Sequence, residues 1–167
     1  MLSQEVTIDP LRGEEDARWC ARLMADSEPW LTIGRDYQSA LEIFDDVGNE
    51  GYIATAEGER AGFIVIVMRG AFAGYIKSLA VAPAFRNRGL GRRLIEFAEK
   101  RIFSEQPNVF LCVSTFNPDA KRLYERLGYK VIGLLDDYIV PGHGEYLLRK
   151  SIAPMSEFVP RSAGAAE

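Results

Sequence analysis

Apolar side chains recur at helical spacing in two segments near the start of the chain. Within residues 14–26 they occupy positions i, i+3, i+4 and i+7, which is typical of an amphipathic helix. These positions are Ala17, Cys20, Ala21 and Met24. Residues 36–47 repeat the pattern, and Pro29 and Gly34 interrupt the sequence between the two segments. The pattern therefore predicts two helices joined by a loop.

Runs of β type come next. The runs 51–57 and 61–69 flank a polar turn, which predicts a hairpin, and a third run, 73–81, ends shortly before Pro83. Residues 108–114 are almost continuously apolar, as expected of a strand that is covered on both faces.

Helical and strand patterns alternate in the second half of the chain. An apolar stripe at helical spacing runs through residues 89–103. A further helix is predicted at residues 117–127, where Asn117 can cap the first turn. The last two strands are predicted at 129–140 and 146–152, on either side of a turn.

The elements therefore follow in the order β α α β β β α β α β β. This order predicts an α/β fold with a mixed sheet of about six or seven strands, at least one parallel pair and about four helices. A length of 167 residues fits one domain, which we assign to residues 1–152. Residues 153–167 carry two prolines and small polar side chains, and we expect them to form a flexible C-terminal tail.

Composition narrows the class of protein. The chain has 20 basic and 24 acidic residues, a net charge of −4, and this acidic balance argues against nucleic acid as a partner. Its apolar runs are too short to span a bilayer, and the start of the chain lacks the pattern of a signal peptide. The two cysteines, Cys20 and Cys112, lie far apart without metal-ligand spacing. We therefore expect free thiols, no metal, no membrane contact and a cytoplasmic location.

The sharpest local signal is the sequence RNRGLG, residues 86–91, between a predicted strand and a predicted helix. Glycines at such a junction let successive N–H groups point into one concavity, and the helix start adds a partial positive charge. Together these features predict a site for a phosphate or a pyrophosphate. The alternative is a surface turn with solvated arginines.

Two common phosphate-binding loops are excluded. The chain lacks the GxxxxGK[ST] pattern of the Walker A loop. The dinucleotide pattern GxGxxG also fails, because Leu94 stands at the third glycine position.

Two segments in a fixed order resemble the signature motifs of the GNAT superfamily of N-acetyltransferases. The first motif is a strand ending in Leu-x-Val, then [R/Q]xxGx[G/A] and a helix, and residues 79–81 and 86–91 match it. The second is Asn-x-x-Ala-x-x-x-Tyr-x-x-x-Gly-[Phe/Tyr], and residues 117–129 match it. The resemblance covers roughly residues 50–152 and implies a GNAT-like sheet whose splayed central strands form a cofactor cleft.

The resemblance implies acetyl-CoA as the cosubstrate. Backbone groups of Leu79 and Val81 would hold the pantetheine arm, and backbone N–H groups from Arg88 to Arg92 would hold the pyrophosphate. Arginine side chains could screen the remaining phosphate charge. The implied cofactor-binding residues are Leu79, Ala80, Val81, Arg86, Asn87, Arg88, Gly89, Leu90, Gly91, Arg92 and Asn117.

The resemblance also gives Tyr124 the role of general acid. A thiolate leaving group of pKa ~8.5 needs a proton, and a phenol of pKa ~10 can share one. The alternative is that Tyr124 is only a core residue, because it lies on an apolar stripe at helical spacing.

The acceptor amine must lose a proton, and the sequence offers several groups to take it. The strand 73–81 has no carboxylate, and Cys112 stands where the branch that modifies ribosomal-protein N-termini has Glu. Protein N-terminal acetylation and histone acetylation are therefore not expected. The candidates for the acceptor side are Glu28, Trp30, Asp36, Asp136, Asp137, Tyr138, His143 and Glu145, of which Glu28, Trp30, Asp136, Asp137 and Tyr138 are assigned to substrate binding. A lone His143 in a turn is more typical of an exposed residue, and Trp30 can either pack under its loop or face the substrate.

The sequence thus predicts an enzyme that transfers acetyl from acetyl-CoA directly to a primary amine of a small molecule or amino compound. Positioning, backbone donors and Tyr124 would supply the catalysis. The alternative function is a non-catalytic acyl-CoA sensor or interaction domain. A homodimer is left open, because exposed strand edges in small α/β domains often pair.

Overall fold

The computed structural model describes residues 5–161, and its elements follow the predicted order. The strands are β1 (Val6–Pro10), β2 (Asn49–Ala56), β3 (Glu59–Val67), β4 (Tyr75–Val81), β5 (Asn108–Ser114), β6 (Lys130–Leu135) and β7 (Glu145–Ser151). The helices are α1 (Gly13–Ala25), α2 (Tyr37–Asp45), α3 (Leu90–Phe103) and α4 (Pro118–Arg126). Short 3₁₀ turns lie at Pro83–Phe85 and Met155–Glu157.

The seven strands form one mixed sheet in the order β1-β2-β3-β4-β5-β7-β6. All neighbouring strands are antiparallel except β4 and β5, which are parallel. The predicted α/β fold, with a mixed sheet of six or seven strands and four helices, is confirmed. No helix within residues 5–161 is both long and apolar enough to cross a membrane.

Two apolar cores lie on opposite faces of the sheet, and alternate residues of β3 feed both. Phe63 and Val65 pack with the apolar stripes of α1 and α2, whereas Ile64 and Ile66 pack with α3. Half-buried residues of α4 also contact the α3 side. Because β3 is covered on both faces, its sequence is a continuous apolar run rather than an alternating one.

The parallel strands β4 and β5 pair over a short length and then separate. Their register joins only Tyr75 with Phe110 and Ile76 with Leu111. On the other edge of β4, the Ala82 N–H donates to the Ala61 carbonyl of β3 at 2.8 Å. Because backbone groups alternate in direction along a strand, those of Leu79 and Val81 face the gap between β4 and β5. The fold thus opens a cleft in the middle of its own sheet.

One predicted strand is shorter in the structure. The strand expected at 129–140 ends at Leu135, because residues 136–144 form a loop instead. Asp137 has a positive φ of 50°, and its carboxylate accepts a hydrogen bond from the Gly142 N–H at 2.6 Å. This local turn competes with the sheet ladder and ends it.

The predicted tail lies partly outside the described residues, which end at Arg161. Within the described part, the Arg161 N–H donates to the Ser104 carbonyl at 3.0 Å. Flexibility of residues 153–167 stays a prediction. The sequence leaves a homodimer open, and the edge strand β6, where two copies could pair, exposes Val131, Ile132 and Leu134.

Replacing Gly74 by Ala is expected to lower the free energy of unfolding by about 3 kcal/mol. Gly74 has a φ of +85°, and an added Cβ would lie 2.4 Å from the Asn108 carbonyl oxygen, where β4 approaches β5. Urea unfolding measures the loss. Gly70→Ala is the matched control, since Gly70 has a φ of +96° but nothing within 4 Å of an added Cβ. It should cost about 1 kcal/mol, and equal losses in the two variants would contradict a tight approach at Gly74.

Candidate active site

The backbone before α3 forms a concave surface of N–H groups. Asn87 and Gly89 both have positive φ, 58° and 84°, and Gly89 is the N-cap of α3. Among residues 5–161, no oxygen accepts a hydrogen bond from the amides of Asn87 to Arg92. The first turn of α3 also contains no acidic residue. The positive end of the helix is therefore available to an external anion.

The space above the two glycines of this loop is open. An added Cβ at Gly89 would meet nothing within 4 Å, and at Gly91 it would meet only Val81 Cγ2 at 3.9 Å. The structure thus brings together the backbone of the predicted residues Arg88, Gly89, Leu90, Gly91 and Arg92.

The arginine side chains of this loop are engaged by protein groups. Arg88 pairs with Glu57, and Arg92 Nε donates to Glu96 at 2.7 Å. Arg86 Nε donates to the Val81 carbonyl at 3.0 Å. Exposed pairs such as Arg92–Glu96 contribute only about 0.5 kcal/mol, so a phosphate can compete for the guanidinium. Phosphate screening by these side chains stays a prediction, whereas the amides are already oriented.

A cavity of about 520 Å³ occupies the gap between β4 and β5. Its walls are β4 from Tyr75 to Val81, β5 from Leu111 to Ser114, and α4. The loop 26–35 and residues of the β6–β7 loop close it from the other side of the sheet. The predicted residues Leu79, Ala80, Val81, Arg86 and Asn117 all line this cavity.

Two predicted residues of the second motif lie at the start and in the middle of α4. Asn117 caps the helix, because its Oδ1 accepts the Ala120 N–H at 3.3 Å, and its side-chain nitrogen makes no hydrogen bond within the described part of the chain. Tyr124 is half-buried, lines the cavity, and packs its ring against Tyr129 with 5.7 Å between ring centroids. Its hydroxyl makes no hydrogen bond with the described residues.

Burial raises the pKa of Tyr124 to about 12. The phenol therefore keeps its proton at neutral pH and can donate it toward a developing thiolate. Tyr124 packs like a core residue and still reaches the cavity, so the structure reconciles the two interpretations of its apolar stripe.

The residues predicted for the acceptor side divide into two groups. Glu28, Trp30 and Tyr138 line the cavity, and Trp30 is also packed against Phe63 with 6.4 Å between centroids. Asp136 and Asp137 lie outside the cavity, since both are exposed and Asp137 is used by its own loop. The structure therefore does not bring these two aspartates to the site.

The other two candidates outside the cavity have local roles. Asp36 is the N-cap of α2, because its Oδ1 accepts the Ser39 N–H at 2.8 Å. His143 is half-buried, and its ring packs against Phe116 with 4.9 Å between centroids, so it is not the exposed turn residue expected from the sequence.

The structure adds polar groups that sequence reasoning missed. Tyr75, Ser114 and Arg35 line the cavity, and Ser114 Oγ hydrogen-bonds to Glu145 at 2.5 Å. Arg35 is half-buried, and its Nε is buried without a partner among the described residues. The contact between Ser114 and Glu145 depends on the pairing of β5 with β7, which places the two residues opposite each other and is not visible in the sequence. Within residues 5–161, no group of three His, Cys, Asp or Glu side chains could hold a metal ion.

The geometry defines a class of protein. An amide cradle for a diphosphate continues into an unpaired strand edge that can bind an extended arm by backbone hydrogen bonds. A protonated tyrosine lies beside that arm. These are the parts of an enzyme that binds an acyl thioester and transfers its acyl group.

Comparison with known proteins agrees with this class. The model of the Acetyltransferase (GNAT) family matches residues 15–129, and the chain belongs to this family. It is an acetyl-CoA-dependent N-acetyltransferase. The N-alpha-acetyltransferase RimI of Mycobacterium tuberculosis is 31% identical over 156 residues, covering 89% of this chain and 94% of the relative.

Solved structures share the fold. The ribosomal-protein-S18-alanine N-acetyltransferase of Escherichia coli superposes with a TM-score of 0.73 at 20% identity, covering 93% of this chain and 99% of that one. The spermidine N-acetyltransferase of Vibrio cholerae, solved with CoA and spermine, has a TM-score of 0.69 at 17% identity and covers 87% and 95%.

Replacing Gly91 by Asp is expected to weaken CoA binding at least about tenfold, because a carboxylate at the helix start repels the diphosphate. Calorimetric titration with CoA measures the Kd. Thermal stability should hold or rise slightly, since an acid in the first turn favours the helix.

Gly91→Asn is the matched control, because Asn has nearly the same shape without the charge. It should bind CoA several-fold more tightly than Gly91→Asp, with the difference shrinking at high salt. Equal affinities in the two variants would contradict the predicted anion site.

Proposed function

We propose that the protein acetylates the α-amino group at the N-terminus of a peptide or protein, with Tyr124 as the general acid. The observation that carries this proposal is the rim of the cavity on the acceptor side. Three apolar side chains are exposed there, Leu31 (54%), Tyr138 (59%) and Ile139 (45%). Exposed apolar side chains around a polar opening favour an acceptor that has side chains of its own.

Charge around the cavity supports the same choice. The acidic lining residues Asp26, Glu28 and Glu145 are matched in number by the basic residues Arg35, Lys77 and Arg86. A site for a polyamine would need a surplus of acids. A peptide N-terminus brings a single ammonium group and a neutral backbone.

Arg35 gives the peptide backbone a partner. Its buried Nε–H lacks an acceptor among the described residues, which costs about 1–3 kcal/mol while the donor stays unpaired. In a peptide, the carbonyl oxygen of the first residue lies next to the reacting amine. We infer that Arg35 donates to this carbonyl, whereas a simple alkylamine would leave Arg35 unpaired.

The similarity to two enzymes named for N-terminal or alanine acetylation supports the proposal. The sequence had argued for a small-molecule amine because Cys112 replaces a family glutamate on β5. In the structure the buried carboxylate of Glu145 lies in the same cavity. The acceptor end therefore does contain a carboxylate, and the objection to a peptide substrate loses its basis.

The chain's own groups would perform the reaction as follows. The amides of residues 87–92 bind the diphosphate, and the edge of β4 that faces the gap, at Leu79 and at the Val81 N–H, aligns the pantetheine arm. The neutral amine attacks the thioester carbonyl, the C–S bond breaks as the amide forms, and the nitrogen releases one N–H proton, which replaces the proton that Tyr124 gives to the sulfur. Tyr124 donates a proton to the sulfur. Fixed positions for all groups supply much of the rate.

Tyr124→Phe is expected to lower kcat about 10²-fold, because the leaving thiolate loses its proton donor. The Kd for CoA should change less than about twofold, since the ring and its packing remain. Thiol release during turnover measures the rate, and calorimetry measures the affinity. Unchanged turnover would contradict the acid role. If the unmodified chain releases no thiol with any acceptor, the non-catalytic alternative gains support.

The acceptor class is tested with a matched panel. Free thiol release is measured with short peptides that carry a free N-terminus, the same peptides with a blocked N-terminus, free amino acids and spermidine. We expect kcat/KM for free-N-terminus peptides to exceed that for the other acceptors at least about tenfold, because only peptides use both the rim and Arg35. Spermidine or an amino acid as the best acceptor would overturn the peptide proposal.

Arg35→Ala provides an internal control for the same panel. It should raise KM for the peptide several-fold and leave the Kd for CoA unchanged, because the guanidinium contacts only the acceptor in this proposal. An equal effect on all amines would contradict peptide-backbone recognition.

A further inference from the structure

The cavity is lined by a buried carboxylate that takes no part in proton donation by Tyr124. Glu145 is only 4% exposed and lines the cavity at the first residue of β7. No basic side chain within residues 5–161 forms an ion pair with it. Its one hydrogen bond comes from Ser114 Oγ at 2.5 Å. An unpaired buried carboxylate is costly, so its position calls for a functional reason.

The register of the strands explains why this carboxylate matters. Ser114 lies opposite Glu145 and Cys112 lies opposite Leu147, so Cys112 and Glu145 are diagonal neighbours on one face of the sheet. Cys112 occupies the position where the related branch has Glu. In this chain a carboxylate lies on β7 instead, at the diagonal position, and lines the same cavity.

We propose that Glu145 is the general base that takes the proton from the acceptor ammonium. The inference rests on the proposed N-acetyltransferase reaction but not on which amine is the acceptor. An α-ammonium of pKa ~7.7–8.0 is mostly protonated at neutral pH and cannot attack in that form. Glu145 accepts one N–H proton, and the freed lone pair forms the C–N bond. As the C–S bond breaks, the sulfur takes a proton from Tyr124, and the second proton that the nitrogen loses on becoming an amide replaces the one that Tyr124 gave.

The groups around Glu145 suit a base of this kind. From β5 it faces Ser114 and Cys112, and from β4 it faces Tyr75, whose pKa is raised by burial, by Cys112 and by the carboxylate. On β6 its register partner is the apolar Leu135, and Tyr138 approaches from the loop. Among residues 5–161, no neighbour of Glu145 supplies a positive charge that would hold the carboxylate permanently ionised.

Burial raises the pKa of Glu145, and the Ser114 hydrogen bond partly offsets that rise. A base with a raised pKa is better matched to an amine, and it becomes active only above that pKa. The effect of pH on stability has the opposite direction to its effect on activity. The folded-state pKa exceeds the unfolded value of about 4.3, so this contribution to stability is full below that value and is lost as pH rises through the folded pKa.

Glu145→Gln tests the proposal through its pH profile. At pH 7 we expect kcat/KM to fall about 10²-fold, with CoA affinity unchanged. The deficit should shrink to less than about tenfold by pH 9, where the amine has lost its proton without help. A purely structural role would give a loss that does not vary with pH, and that result would overturn the proposal.

Two further variants separate proton transfer from folding. Ser114→Ala removes the hydrogen bond that favours the anion, so the acid limb of the profile should move to higher pH while the plateau is kept. The double variant Cys112→Glu, Glu145→Gln places a carboxylate on the same face of the sheet, but on β5. Its kcat/KM at pH 7 should be at least about tenfold higher than that of Glu145→Gln alone. If Glu145→Gln does not fold, an unshifted profile in Ser114→Ala still overturns the proposal.

These measurements use whichever amine the acceptor panel identifies as best. If that amine is not a peptide, the peptide proposal fails while the pH test of Glu145 remains valid, provided that the upper pH is set above the pKa of that amine, which is ~10.4 for an alkylamine. If peptides are the best acceptors but the Glu145→Gln deficit is constant with pH, only the base assignment fails.

Discussion

The short parallel contact between β4 and β5 is the constraint on which the site depends. Two residue pairs join the strands, and Gly74 allows the close approach, since the Phe110 N–H reaches its carbonyl at 3.0 Å. Beyond that contact the strands separate and leave one edge of β4 without a partner. Buried backbone groups need hydrogen bonds, so this edge is stable only if water or a ligand supplies them. The cleft therefore offers a ligand a row of backbone groups that need hydrogen-bond partners.

The cosubstrate half of the site is made mainly of backbone. Six consecutive amides from Asn87 to Arg92 are free of acceptors among the described residues, while Arg88 and Arg92 are tied to glutamates. Backbone donors are oriented before the ligand arrives and lose no side-chain entropy on binding. We therefore expect the backbone conformation at Asn87 and Gly89, which both have positive φ, to contribute more to anion binding than the arginine side chains of the loop.

The sequence predicts the cosubstrate half of the site better than the acceptor half. The element order, the helix cap at Asn117 and the cradle at residues 86–91 depend on local patterns, so the sequence alone predicts them. The acceptor side depends on long-range register and on loops. Asp137 was a reasonable candidate as an acid near the final hairpin, but it bonds to its own loop. Ser114 and Arg35 gave no local signal, because only folding places them at the cavity.

If Glu145 is the base, the cleft rather than chain position determines where acceptor chemistry can lie. Any side chain that projects from β5 or β7 on the cavity face, near the point of strand separation, can reach an incoming amine. A carboxylate can therefore move from one strand to its neighbour without moving far in space. Its burial without a cation disfavours the charged form, a cost that a purely structural position would avoid by using an uncharged residue. The proposed role as a base gives this titratable group a reason to lie there, because the acceptor amine must lose a proton.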